Sequence, residues 1–234
     1  VISKKIKALL RDYALKEHWH IDSKKAYDTF FCLTHHFKTT ANLFFKELLP
    51  RIEPVKSNYQ SHWLSIKEYR LKRHQEYISI IAYSDLKIFS ALVKIMPKNI
   101  QLQLSNSTTI RYAQFFDFDK GVDVFCNRGT SGIDGCTSTA IGAAVVSKKE
   151  TLCITGDLSF LYDSNALWSN YIPSNFKIIV INNGGGGIFR ILPGEKNTNN
   201  FDTFFETKHQ VTAVHLCKMY GLEYTMIHCE SELN

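Results

Sequence analysis

No stretch of this chain reaches the roughly 18 consecutive apolar residues of a membrane-spanning helix, so no span is expected. Its six cysteines, at positions 32, 126, 136, 153, 217 and 229, include no CxxC pair and no regular spacing. That pattern gives neither a disulfide framework nor a zinc ribbon. Cys126 and Cys153 sit in apolar, strand-like runs and read as reduced core thiols, which points to a cytoplasmic protein. No GxGxxG opens a helix and no GxxxxGK[ST] occurs, which removes the dinucleotide and P-loop readings. The first residues, VISKKIKALLRDY, are charged throughout and make no secretory signal. They also lack a starting Met, and the chain closes on what reads as the start of a helix, so a piece of a longer chain is expected. There is no internal repeat.

What is present is an ordinary globular composition: 234 residues, 44% of them hydrophobic. That length suffices for one large domain, or for one domain and part of another. The net charge of +6 is uneven, with 15 Lys and Arg against 8 Asp and Glu in residues 1–84 and 13 against 14 thereafter. The basic residues of the first part are interspersed with acids and apolar side chains. They read as solvated helical faces, and no nucleic-acid partner is expected. His18, His20, His35 and His36 lack the spacing to Cys or acid partners of a metal site and are not read as ligands.

A short strand is expected at 18–21, a helix at 42–49, a linker at 50–54 and one polar helix at 57–83. The character changes near Ser84-Asp85, either of which can cap a helix presenting Leu86, Phe89, Leu92, Val93 and Met96 on one face, stopped by Pro97. Strands at 101–104, 122–125, 152–155 and 177–181 then alternate with helices, the third of them a small-residue helix from Cys136 to about Ser147. The alternation predicts an α/β fold, a doubly wound parallel sheet with helices on both faces. Residues 194–200 read as a mobile loop, 210–220 as a helix ended by Gly221, and 223–227 as a last strand. The predicted domains are 1–84, a remnant, and 85–234.

Chemistry concentrates between Gly156 and Phe189. Gly156-Asp157 follows one apolar strand, and Asn182-Asn183 with four glycines follows the next, 26 residues on from Asp157 to Asn183. If the two strands are parallel neighbours, Asp157 and Asn183 meet at the carboxyl edge of the sheet, where open α/β sheets bind ligands. A carboxylate and an amide are hard oxygen donors, and the glycines let backbone groups come close to a ligand. A divalent cation holding a diphosphate suits them. A turn alone has little use for four successive glycines, each costly to order. Arg111 and Arg128 fall near the same edge and suit carboxylate-bearing substrates, with a surface or structural ion pair as the alternative for either one alone. Ile133 is apolar within a glycine-flanked loop and reads as core or as support for a ligand ring.

The Gly-Asp…Asn-Asn arrangement is similar to the cofactor signature of thiamine-diphosphate enzymes. The longer wording NRGTSGIDGCTSTAIGAA, with GDLSFLYDSNAL and INNGGGGIFRILP, resembles one branch, the MenD family of 2-succinyl-5-enolpyruvyl-6-hydroxy-3-cyclohexene-1-carboxylate synthases of menaquinone biosynthesis. The resemblance is close over about residues 102–193, loose over 194–234 and weak over 1–84, which are similar to the end of a central domain and its linker. It implies that Asp157, Asn183 and the Gly185 carbonyl hold Mg2+ or Mn2+ against the diphosphate of thiamine diphosphate. It places Gly156, Leu158, Ser159 and Gly186 beside the diphosphate and pyrimidine, and Ile133 under the cofactor. Ser107, Arg111 and Arg128 would bind substrate carboxylates, the two arginines stabilising the reacting anions, while Ile188, Phe189 and Leu192 wall the pocket. The implied reaction is decarboxylation of 2-oxoglutarate and addition of the succinyl-semialdehyde carbanion to isochorismate, in a homodimeric or larger enzyme. Leu158 departs from the Gly of the general GDG signature, and Gly187 stands where an amide side chain can occur. The activating glutamate of such enzymes comes from another domain, and no Glu here has a suitable context, so the chain alone is expected to fold without turnover. Another thiamine-diphosphate carboligase or decarboxylase, such as an acetolactate synthase-like enzyme, and a non-catalytic metal-diphosphate module remain as alternatives.

Overall fold

The computed structural model describes residues 3–13 and 15–233. The chain divides into two compact units, Val1–Lys67 and Glu68–Asn234. The division falls inside one long helix, α3 (Tyr59–Ile80), slightly shorter than the 57–83 predicted.

The first unit holds α1 (Lys4–Asp12), two short parallel strands, β1 (Trp19–Ile21) and β2 (His35–Phe37), and α2 (Ala41–Leu48). Ser3 and Thr40 accept at the starts of α1 and α2, from the amides of Ile6 and Leu43, as capping hydroxyls do. Trp19, Phe37 and Phe44 make a small aromatic cluster, with Phe37 and Phe44 ring centres 4.8 Å apart. Among the described residues, no fully buried apolar side chain precedes Ile78.

The second unit carries the core. α4 (Asp85–Ile95) starts after Ser84, and Met96-Pro97 ends it. Ser84 makes no side-chain capping bond. The expected cap at Ser84-Asp85 is therefore not formed by the serine, and the Asp85 carboxylate is turned to Asn183. Four parallel strands follow: β3 (Gln101–Leu104), β4 (Asp123–Cys126), β5 (Thr151–Gly156) and β6 (Phe176–Ile181), in the order β4-β3-β5-β6. Their connections hold α5 (Thr108–Ala113), α6 (Cys136–Val146) and α7 (Asp157–Tyr162).

The period of two along the strands fills both faces of the sheet. Leu102, Leu104, Ile154, Ile179 and Ile181 pack with Phe89 and Leu92 of α4 and Ala113 of α5. Phe176, Ile178 and Val180 point the other way and pack with Ile141 of α6 and Phe160 of α7. α6 lies close to the sheet because its buried positions include Ala140 and Ala144. The predicted doubly wound sheet is thus present. Chain order runs from β3 outward to β4, then returns to the other side of β3 for β5 and β6, so the winding reverses between β3 and β5.

Two expectations past Ile191 fail. Residues 223–227 form no strand: their alternation satisfies the strand pattern, but they pair with no neighbour, and Tyr224, Met226 and Ile227 stay exposed. The helix expected over 210–220 shrinks to α9 (Val214–Met219), which packs by Leu216, with Ala213 just before it, on the α6 and α7 side of the core. A π-helical turn, Phe201–Phe205, was not foreseen.

Candidate active site

The reversal between β3 and β5 leaves a crevice at their carboxyl ends, with Ser105 and Asn106 leaving one strand and Gly156-Asp157 ending the other. β5 and β6 pair in parallel with Gly156 opposite Ile181, so Asp157 and Asn183 leave the same edge side by side. A cleft of about 370 Å3 opens there, and each of the fourteen residues singled out from the sequence lines it. They come from five segments: the α5 start, the loop after β4, the β5–α7 turn, the glycine run and α8 (Ile188–Ile191) with Leu192.

Asp157 is 5% exposed. Its Oδ1 accepts from the Leu158 amide at 2.7 Å, and its Oδ2 from the amides of Gly184 and Gly185 at 2.8 and 3.0 Å. The glycine run thus closes on the carboxylate through its N–H groups. His209 Nε2 stands 3.3 Å from Oδ2 but off the line of a hydrogen bond. No Lys or Arg pairs with Asp157 among the described residues, and Oδ1 keeps a lone pair free. Of the two asparagines, only Asn183 borders the cleft, because the Asn182 amide turns away to the Val211 carbonyl.

The glycines serve two purposes. A Cβ on Gly185, which has φ +151°, would stand 2.6 Å from the Glu206 carbonyl, and one on Gly186 would stand 3.0 Å from that of Phe205. These two admit the backbone of residues 205–208, whose Glu206 carbonyl accepts from the Gly186 amide. The reading of the run as a ligand cradle alone needs that correction. Gly156 and Gly187 differ: a Cβ there would meet Thr109 Oγ1 at 4.0 Å and Asn183 Nδ2 at 3.7 Å, ordinary contacts, so no close neighbour demands glycine.

Arg111 and Arg128 carry the positive charge of the cleft. Arg111 donates to the Ser107 carbonyl at 2.5 Å and Arg128 to Asn106 Oδ1 at 2.9 Å. Neither has a carboxylate partner among the described residues. Partial burial, and then the neighbouring Arg128, bring the Arg111 guanidinium below its usual value. A bound anion would offset the repulsion between the two guanidinium groups. Ser107, at the head of α5, has φ +72°, an uncommon conformation for a non-glycine residue. Ser159 Oγ donates to the Ile133 carbonyl at 2.5 Å and so ties α7 to the Ile133 loop.

The family model for the thiamine pyrophosphate enzyme C-terminal TPP binding domain matches residues 107–234. This chain belongs to the thiamine pyrophosphate enzymes. Its curated relatives include proteins named 2-succinyl-5-enolpyruvyl-6-hydroxy-3-cyclohexene-1-carboxylate synthase. The one from Flavobacterium psychrophilum is 57% identical over 96% of this chain and 41% of its own length. That from Flavobacterium johnsoniae is 56% identical over 100% of this chain and 42% of its own, and that from Porphyromonas gingivalis is 40% identical over 96% and 41%. The chain thus spans about two fifths of these relatives, and the resemblance read from its motifs is borne out. Among solved structures, a thiamine diphosphate-dependent 4-hydroxybenzoylformate decarboxylase of Rhodococcus jostii RHA1 is similar over 60% of this chain and 28% of its own, with 24% identity and a TM-score of 0.48.

Three residues of this member of the thiamine pyrophosphate enzyme family carried no signal strong enough to single them out in the sequence. Asn106 is 1% exposed and donates to the carbonyls of Asn127 and Gly132 at 2.7 and 2.6 Å while accepting from Arg128. It follows an apolar strand at the same edge as Asp157, and that position was its signal. Asp85 and His209 reach Asn183 and Asp157 from distant sequence, and nothing local marks them.

Proposed function

We propose that this chain is the metal- and diphosphate-holding part of a 2-succinyl-5-enolpyruvyl-6-hydroxy-3-cyclohexene-1-carboxylate synthase. The whole enzyme would remove CO2 from 2-oxoglutarate and join the remaining unit to isochorismate, as a cytoplasmic homo-oligomer. Residues 85–234 form the diphosphate-binding domain in this reading, and 1–84 the end of a central domain. The relatives' names and identities support the synthase. The observation that carries it is one cleft in which, among the described residues, the buried Asp157 carboxylate meets no Lys or Arg and the Arg111 and Arg128 guanidinium groups meet no carboxylate.

The residues fit the cofactor and its metal. Asp157 and Asn183 supply hard oxygens at one edge of the cleft of about 370 Å3, which Gly156 and Gly187 also line. Asp157, Asn183 and the Gly185 carbonyl would hold Mg2+ or Mn2+, with Gly156, Leu158, Ser159 and Gly186 along the diphosphate and pyrimidine. Thiamine diphosphate, when bound, supplies the electron sink that decarboxylation requires. Ile133 supports its rings. Ser107, Arg111 and Arg128 bind and orient substrate carboxylates, and each guanidinium can take a carboxylate by two parallel bonds. Ile188, Phe189 and Leu192 present apolar wall to the cleft and keep water from the reacting groups.

Calorimetric titration with thiamine diphosphate, in Mg2+ and then in EDTA, tests the binding half on this chain. Metal-dependent binding that Asp157→Ala abolishes is expected; binding indifferent to EDTA and to the substitution would refute it. Mass analysis of products from 2-oxoglutarate and isochorismate, with the full-length protein, tests the reaction.

A further inference from the structure

One contact of Asn183 lies outside the cleft. Its Nδ2 donates to Asp85 Oδ2 at 2.8 Å, between residues 98 apart in sequence. Asp85 lines a second cavity of about 220 Å3 that shares Thr108, Asn183, Gly185 and Gly187 with the cleft. Asn183 therefore stands between the two spaces. Among the described residues, no Lys, Arg or His pairs with Asp85. A half-buried carboxylate whose side-chain partner is an amide, and which meets no cation among the described residues, is a poor choice for stability alone.

An asparagine side chain has two unlike ends. A cation takes the oxygen and is repelled by the NH2. An ionised carboxylate accepts hydrogen bonds and donates none, so it can be satisfied only by the NH2 end. We propose that Asp85 is a positioning residue: its carboxylate holds the Asn183 amide by Nδ2 and leaves Oδ1 as the end available to the cation beside Asp157. This rests on the metal–diphosphate reading of the cleft. Asp85 itself does not ligate. Ligand-orienting partners of this kind typically change metal affinity 10- to 100-fold when removed.

The test titrates Mg2+ into this chain in the presence of a fixed excess of thiamine diphosphate and reads the Mg2+ midpoint of their joint binding. Asp85→Ser keeps a residue suited to the start of α4 but is too short to hold Asn183. It is expected to weaken Mg2+ about 10- to 100-fold while the ligand-free melting temperature stays near that of the parent. Asp85→Asn, whose amide oxygen still accepts, is expected to recover most of that loss. In an Asn183→Ala background, adding Asp85→Ser is expected to change nothing further, since the residue it acts through is gone. Unchanged Mg2+ affinity in Asp85→Ser, or an equal loss with and without Asn183, overturns the proposal. If the parent chain binds neither Mg2+ nor thiamine diphosphate, the reading of the cleft falls, and this inference with it.

Discussion

At the residue scale, Asn106 joins β3 to the loop that carries Arg128 and Ile133. Both of its amide hydrogens go to loop carbonyls, and its oxygen takes the Arg128 guanidinium. Leaving buried polar groups unpaired costs about 1–3 kcal/mol each. Asn106→Ala is therefore expected to lose roughly 2–4 kcal/mol in urea unfolding and to free Arg128. Gly185 is constrained in another way. Its φ of +151° and the Glu206 carbonyl 2.6 Å from any Cβ make Gly185→Ala destabilising by at least about 2 kcal/mol, measurable in the same assay. Cys153 is a third case. Burial, helped by Cys136 and Asp163, pushes its thiol up to about 12, against 9.0 ordinarily. The folded chain then keeps this proton where the unfolded chain releases it. The contribution is whole below about pH 9 and is lost as pH rises toward 12. Stability measured from pH 8 to 10.5 should fall less steeply in Cys153→Ala than in the parent; equal slopes would refute the assignment.

At the element scale, the segment from Phe201 to His209 closes over the glycine run. It is held there by Glu206, 8% exposed, which takes Arg190 through both carboxylate oxygens and Lys208 as well. The same residue's carbonyl accepts from the Gly186 amide. Glu206 is the buried member of this cluster, while the Arg190 and Lys208 side chains are about half exposed, so a neutral residue at 206 loses the charge-assisted bonds that fasten the segment. In Glu206→Gln, hydrogen exchange at the Gly186 amide is expected to quicken at least about tenfold, while exchange in β3 and β5 is unchanged. The strand lost at 223–227 belongs to this scale too. A strand exists by its ladder, and no alternation of side chains supplies the neighbour.

At the scale of the whole molecule, the cleft exists because winding reverses between β3 and β5, which leaves their carboxyl ends uncovered by a crossing helix. A ligand that binds only the folded chain stabilises it by mass action, about 2.7 kcal/mol at a hundredfold excess over Kd. Thiamine diphosphate with Mg2+ should therefore raise the melting temperature by several degrees, and EDTA should return it to that of the ligand-free chain. A rise that survives EDTA would point to binding elsewhere.

The sequence by itself determined the sheet and the place of its chemistry. Apolar runs buried on both faces are short, dense and bounded by small residues, so β3, β5 and β6 were legible, as were the Gly-Asp and Asn-Asn pairs that follow two of them. Local alternation holds no information on partners at long range. Only the tertiary structure decided that Asp85 takes the nitrogen of Asn183, that Asn106 holds Arg128, and that residues 205–208 require Gly185 and Gly186 to be bare. Each is a contact between segments that the sheet brings together, and its energy depends on separations that exist only once the strands are paired.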